Sequence, residues 1–172
     1  MLQINSNYCY MSIACVIRNI FCKTKFDQEV LNIQSALYEL GYHIGSSKNH
    51  GGGGKNGLDG RKGKLTDAAI TLSKQKISQE LGVNLGATAE ITFEYKELIL
   101  NLSRLRSIYK LLVDEDTSND KAVQKNAMNT VVKSNSNFEK ILKNNGIFLG
   151  DGLDDGEINQ IGVMIEKIWG GR

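Results

Sequence analysis

Between Ile91 and Leu112 the apolar positions fall at alternating steps of four and three: Ile91, Tyr95, Leu98, Leu102, Leu105, Tyr109 and Leu112. This is a heptad seam sustained over three repeats, and it predicts one long helix beginning near Glu90. Glu94, Lys96, Glu97, Arg104, Arg106 and Lys110 lie off the seam and are expected on its solvent side. A central helix of an antiparallel bundle explains such a stripe better than a free coiled coil. Upstream, Asp27 is placed to cap a helix through Val30, Ile33, Ala36, Leu37 and Leu40, with Gly41 as its stop. Thr66 is placed to cap the next, with Ala69, Ile70, Leu72 and Ile77 inside, and Gly82 and Gly86 interrupt the chain after it. Downstream, Val123, Ala127 and Val131 predict a weaker helix, and Phe138, Ile141 and Leu142 a short one ending at Gly146. Ile158, Ile161, Ile165 and Ile168 stripe a last helix over Glu157 to Trp169. No segment alternates as a strand, so the chain reads as mostly α.

Nine of the 18 glycines lie between Gly41 and Gly63, including the run Gly51-Gly52-Gly53-Gly54. Glycine loses the most backbone entropy on ordering, so this stretch predicts a loop over 45–57 rather than an element. It is no phosphate cradle, because Gly54-Lys55 lacks the following Ser or Thr and no strand feeds it. Three parts follow: an N-terminal helical segment over 1–26, a small unit over 27–86, and a helical domain over 87–172.

Composition narrows the class without naming it. At 172 residues, 41% hydrophobic and 23% charged, the chain has the make-up of an ordinary globular domain. No run approaches the roughly 18 apolar residues of a membrane-spanning helix. A net charge of +2 argues against a general nucleic-acid binder. The charge is uneven: residues 48–76 carry seven basic against two acidic side chains, and residues 114–172 seven against ten. Proline is absent, which fits an AT-rich coding bias rather than a chemical need. Cys9, Cys15 and Cys22 cannot close a disulfide framework within one chain, and with His43 and His50 they match no zinc spacing. They are read as buried thiols. Ile13, Val16, Ile17, Ile20 and Phe21 fall at helical spacing, and no positive charge precedes them, so the segment reads as core rather than as a secretion signal.

One stretch carries a resemblance. Val30, Gln34, Leu37 and Leu40-Gly41-Tyr42 are followed, across a loop, by Asp59-Gly60-Arg61-Lys62-Gly63-Lys64-Leu65-Thr66-Asp67-Ala68-Ala69-Ile70. Over residues 30–75 this resembles the three-helix peptidoglycan-binding domain that accompanies bacterial and phage cell-wall hydrolases. An insertion over Ser46 to Asn56, Lys62 in place of an aromatic, and Ser73-Lys74 in place of an aromatic-Gln pair depart from the family pattern. The resemblance implies a small three-helix module followed by a helical bundle built on the heptad helix. It also implies a ligand groove around Gln34, Tyr42, Asp59, Arg61, Lys62 and Thr66, whose hydroxyl, carboxylate and cationic groups suit sugar hydroxyls and stem-peptide carboxylates. Of these, Tyr42 also reads as core, Asp59 and Thr66 as turn and cap, and Arg61 and Lys62 as free cations.

Phe138, Ile141, Leu142, Gly146, Leu149 and Gly150 echo Ile33, Ala36, Leu37, Gly41, Ile44 and Gly45 at a constant offset, and Ile158 to Lys167 echoes Leu65 to Lys74. A degenerate second copy over 137–169 would produce this.

No catalytic residue is named by the chain. Glu90, Glu94, Glu97 and the Asp114–Asp116 cluster qualify for glycoside hydrolysis by residue type alone. Asp151, Asp155, Gly156 and Ile158 fit only part of a calcium loop, since Leu153 and Gly162 stand where oxygen ligands are needed. No metal or cofactor is expected. The expectation is a non-catalytic bacterial or phage protein that binds peptidoglycan, located at the cell envelope, exported by a non-classical route or phage-encoded. A protein partner or self-association is expected through the Ile91–Leu112 seam, with no nucleic acid and no membrane span. The alternatives are a small lysin-type peptidoglycan hydrolase and a secreted or effector-type helical interaction protein.

Overall fold

The computed structural model describes residues 26–45, 57–113, 121–147 and 152–171. These form six helices and, among the described residues, no strand: α1 (Gln28–Glu39), α2 (Lys64–Leu81), α3 (Phe93–Val113), α4 (Lys121–Lys133), α5 (Ser136–Asn144) and α6 (Asp155–Ile168). The three cysteines, the stripe over 13–21, the run Gly51–Gly54 and the Asp114–Asp116 cluster lie outside the described residues. The chain is a mostly α helical bundle, and no described helix is long and apolar enough to cross a membrane.

α3 is the centre of the bundle. It packs against α1, α4 and α6, while α2 lies against α1 and α6, and α5 follows α4. The heptad seam is covered by the chain itself: Tyr95, Leu102 and Leu105 are fully buried and Leu98 nearly so. The middle of the seam is thus spent on the chain's own core, while Ile91, Tyr109 and Leu112 at its two ends are only partly buried. Because α3 has neighbours on several sides, burial extends beyond the seam to Ile99, Asn101, Ser103 and Arg106. Arg106, expected on the solvent side, instead lays its guanidinium 5.2 Å from the centre of the Trp169 ring. The helix starts at Phe93 rather than Glu90, because Thr92 accepts the Tyr95 N–H at 3.2 Å and caps it.

All six helices contribute to one apolar cluster, which joins Ile33 and Leu37 of α1, Ile70 and Ile77 of α2, Met128 and Val132 of α4, Phe138 and Leu142 of α5, and Ile161 and Ile165 of α6. Residues from 27–86 and from 87–172 thus share an interior. In α4 the inward stripe is Met128 and Val132, one position on from the Ala127 and Val131 expected from the pattern. In α2 Leu72 is exposed, and the polar pair Ser73 and Lys74 is buried instead.

The ends of the helices follow their sequence signals in most places. Asp27 caps α1, accepting the N–H groups of Glu29 and Val30. α6 begins with a reciprocal capping box, Asp154 accepting from the Glu157 N–H and Glu157 accepting from the Asp154 N–H. The helix starts at Asp155, two residues ahead of the predicted start, and Asp155, one of the acids that partly fit a calcium loop, pairs with Lys125 instead.

α1 and α5 end in the same way. Gly41 N–H reaches Tyr38 O and Tyr42 N–H reaches Leu37 O, while Gly146 N–H reaches Lys143 O and Ile147 N–H reaches Leu142 O. Both are Schellman stops with a left-handed glycine, φ 79° and 81°. This matches the echo between the two segments, although Leu149 and Gly150 lie outside the described residues. The later part of the echo is out of register by one. Ile158 is buried while its counterpart Leu65 is 36% exposed, and the buried set Thr66, Ala69, Ile70 and Ser73 aligns with Ile158, Ile161, Gly162 and Ile165.

The C-terminal end of α6 docks on the corner after α1. Gly170 N–H donates to Leu40 O at 2.9 Å. Tyr42 Oη donates to Ile168 O, and Lys76 Nζ to Trp169 O at 2.6 Å. These donors satisfy carbonyls that a helix end leaves without partners. The indole of Trp169 occupies the space a side chain on Gly41 would need: a Cβ there would lie 1.8 Å from Nε1.

Two demands, a positive φ and that missing Cβ, meet at Gly41. Gly41→Ala should therefore cost about 3 kcal/mol or more, whereas Gly82→Ala, also left-handed but facing open space, should cost about 1–2 kcal/mol. Urea unfolding of both variants checks this, and equal costs would mean that the Trp169 contact adds nothing.

Candidate functional site

The six residues expected to form a groove divide into a buried hydrogen-bonded hub and a surface margin. Gln34 sits on the inner face of α1 and is 1% exposed. Its Nε2 donates to Asp59 Oδ1 at 3.0 Å, Arg61 O at 3.0 Å and Thr66 Oγ1 at 3.2 Å. Its Oε1 accepts the N–H groups of Asp59 at 3.1 Å and Gly60 at 2.8 Å. Asp59 Oδ1 also accepts the Arg61 N–H at 2.9 Å, closing an Asx-type turn. One amide thus meets four groups from three residues of the chain ahead of α2 and a hydroxyl in its first turn. Such a side chain is saturated, and its bonds hold the hinge between α1 and α2.

Thr66 does not cap α2 as expected. Gly63 occupies the cap position without a side-chain bond, and Thr66 is buried in the first turn, where its hydroxyl serves Gln34. Gly60 brings this turn close to the start of α1. At Gly60 φ is 64°, and a Cβ would meet the Phe26 ring at 2.6 Å and Asp27 O at 3.0 Å. At Gly63 a Cβ would meet nothing. Gly60 O also accepts the Asp27 N–H at 2.8 Å, so the cap residue of α1 is tied to the same turn.

Tyr42 is separate from this hub. It is 1% exposed, its hydroxyl is committed to Ile168 O, and burial pushes its phenol well above the ordinary range. It is core, as its second reading had it. Lys62 is not free: Nζ pairs with Asp67 at 3.3 Å on the surface. Gln34, Asp59, Arg61 and Thr66, with Ile44, Gly57, Gly63 and Leu65, line a pit of about 120 Å³. The structure brings four of the six residues to this pit and leaves Tyr42 and Lys62 out of its wall. Among them Arg61 alone brings a side chain that makes no hydrogen bond or ion pair with any described residue.

Ser73 and Lys74, at the start of the second half of α2, also have structural roles. Ser73 and Lys74 are fully buried. Ser73 Oγ donates to Ile70 O at 2.9 Å and lies 2.7 Å from Tyr95 Oη, so the phenol donates to it. Lys74 Nζ donates to Glu90 O at 2.6 Å and stands 5.2 Å from the centre of the Tyr95 ring. Burial holds this ammonium below the usual lysine range, opposed by the nearby Glu90 carboxylate. The phenol of Tyr95 is pushed up by burial, with the Ser73 bond working against it. Ser73 and Lys74 of α2 thus both use Tyr95 of α3.

Of the carboxylates named by residue type, Glu97 accepts from Asn135 Nδ2 at 3.3 Å, and Glu90 contributes its backbone carbonyl to Lys74. Among the described residues no group of three His, Cys, Asp or Glu side chains could hold a metal ion. Compared with known proteins, the chain matches no family model, no curated sequence and no solved structure.

Removing the Gln34 amide strands two backbone N–H groups and the Thr66 hydroxyl at the hinge. Gln34→Ala is expected to lower unfolding free energy by about 2–4 kcal/mol, read by chemical denaturation. A loss below about 0.5 kcal/mol, the scale of an ordinary surface substitution, would show that the hub does not hold the hinge.

Proposed function

We propose that the protein is a non-catalytic peptidoglycan-binding protein of bacterial or phage origin, acting at the cell envelope. The observation that carries this reading is the convergence of Gln34, Asp59 and Thr66 on one amide. These residues are up to 32 positions apart, and they are the polar positions on which the resemblance rests. Leu37 and Ile70, from the two helices so joined, belong to the same core.

The hub residues are spent on the scaffold, so recognition falls to what surrounds the pit. Arg61 offers five donors in a planar fork, the geometry that pairs with a carboxylate such as a stem peptide carries. Lys62 stands beside it with a surface ion pair to Asp67 that is worth little and readily exchanged. The side of Asp59 not used by the turn can accept from a sugar hydroxyl. No described pair of carboxylates is assigned to bond cleavage, so retention without lysis is expected.

Sedimentation with purified sacculi tests this. The wild-type chain should co-sediment without clearing the suspension, and Arg61→Ala combined with Lys62→Ala should lower retention several-fold while leaving the melting temperature unchanged. Failure of the wild-type chain to sediment with sacculi would remove the wall assignment. Loss of turbidity would favour the hydrolase reading.

A further inference from the structure

A second cavity, of about 190 Å³, opens between the first turns of α3 and the corner joining α4 to α5. Its lining is chemically one-sided. Glu94 and Glu97 bring two carboxylates, Asn101 and Asn135 bring amides, and no basic side chain lines it. Phe138 lies buried along the cavity, and the ring of Phe93 at its margin is 75% exposed.

Asn101 makes this more than an acidic patch. It is 3% exposed and edges the cavity, yet its amide makes no hydrogen bond with any described residue. Its polar atoms are not among the fully buried atoms that lack a partner, so they reach the cavity, where they can bond a ligand's polar group. With two carboxylates nearby, the group that balances the charge is a cation. The exposed ring adds to the same preference, since the face of an aromatic attracts ammonium groups. Phe93 already draws one: Lys96 Nζ lies 5.8 Å from its centre, although that ammonium is held by Glu29 at 2.8 Å.

Size limits the ligand. A cavity of 190 Å³ falls below the range of about 300–1,000 Å³ that holds drug-sized molecules, and suits a single side chain. We infer that this cavity receives the primary ammonium of a lysine-type residue carried on a peptide. Its aliphatic stem would lie along Phe138, and its ammonium would donate to Glu94, Glu97 and the Asn101 carbonyl. This inference is independent of the wall-binding reading, because it uses neither Arg61 nor the α1–α2 hinge.

Calorimetric titration of the full chain with Nα-acetyl-lysine methylamide, beside the uncharged Nα-acetyl-norleucine methylamide, tests it. The lysine compound should bind with a dissociation constant of about 1 mM, as expected for one anchored side chain, and the norleucine compound at least about tenfold more weakly. Glu94→Gln with Glu97→Gln should weaken lysine binding about tenfold. Should that double variant fail to fold, Phe93→Ala, which alters an exposed ring, must show the same direction of change. Absence of saturable lysine binding, equal binding of both compounds, or unchanged affinity in the variant tested would overturn the inference.

Discussion

The close approach at Gly41 governs how this chain closes on itself. A positive φ turns the backbone out of α1, and the missing side chain leaves a place that the indole of Trp169 fills. From that contact the rest of the corner follows. Leu40 O is met by Gly170 N–H, Ile168 O by Tyr42, and Trp169 O by Lys76. The last turn of α6, which has no glycine stop of its own, is capped by groups that lie more than 90 positions away. Arg106 of α3 lies over the same indole, so α1, α2, α3 and α6 meet at one point. Two segments that look separable along the chain are thereby held around one interior.

Local signals carried much of the fold. Asp27 and Gly41 bound α1 as their types require, and the seam from Tyr95 to Leu105 is the buried face of α3. The capping box of Asp154 and Glu157 was also readable, since an acid followed three residues later by Glu is its signature. What could not be read were polar side chains buried by distant partners. Ser73 and Lys74 look like surface residues until Tyr95 and the Glu90 carbonyl are placed beside them. Arg106 looks solvated until Trp169 arrives from the C-terminus. A periodicity analysis detects one face of a helix, whereas a central helix is covered on several.

The candidate site shows the same limit in another form. A motif gathers residues that are kept together without separating those that build the scaffold from those that meet a ligand. Gln34 and Thr66 belong to the first kind, because every bond they make is spent within the chain. Tyr42 belongs there too, and at the pit Arg61, with the unused side of Asp59, leaves charge for a ligand. A saturated amide is a hinge, and one that reaches a cavity without a bond inside the chain is open to a ligand. By that criterion Asn101, which no motif singled out, is informative where Gln34 is not.

Whether 27–86 and 87–172 form one cooperative body is the claim on which the account of the fold rests. Native-state hydrogen exchange measures it directly, at the amides of Leu37, Ile70, Leu102 and Ile165. The account predicts opening free energies within about 1 kcal/mol of one another, because these residues share a core. Protection that persists at Leu37 and Ile70 while Leu102 and Ile165 open several kcal/mol more easily would contradict it.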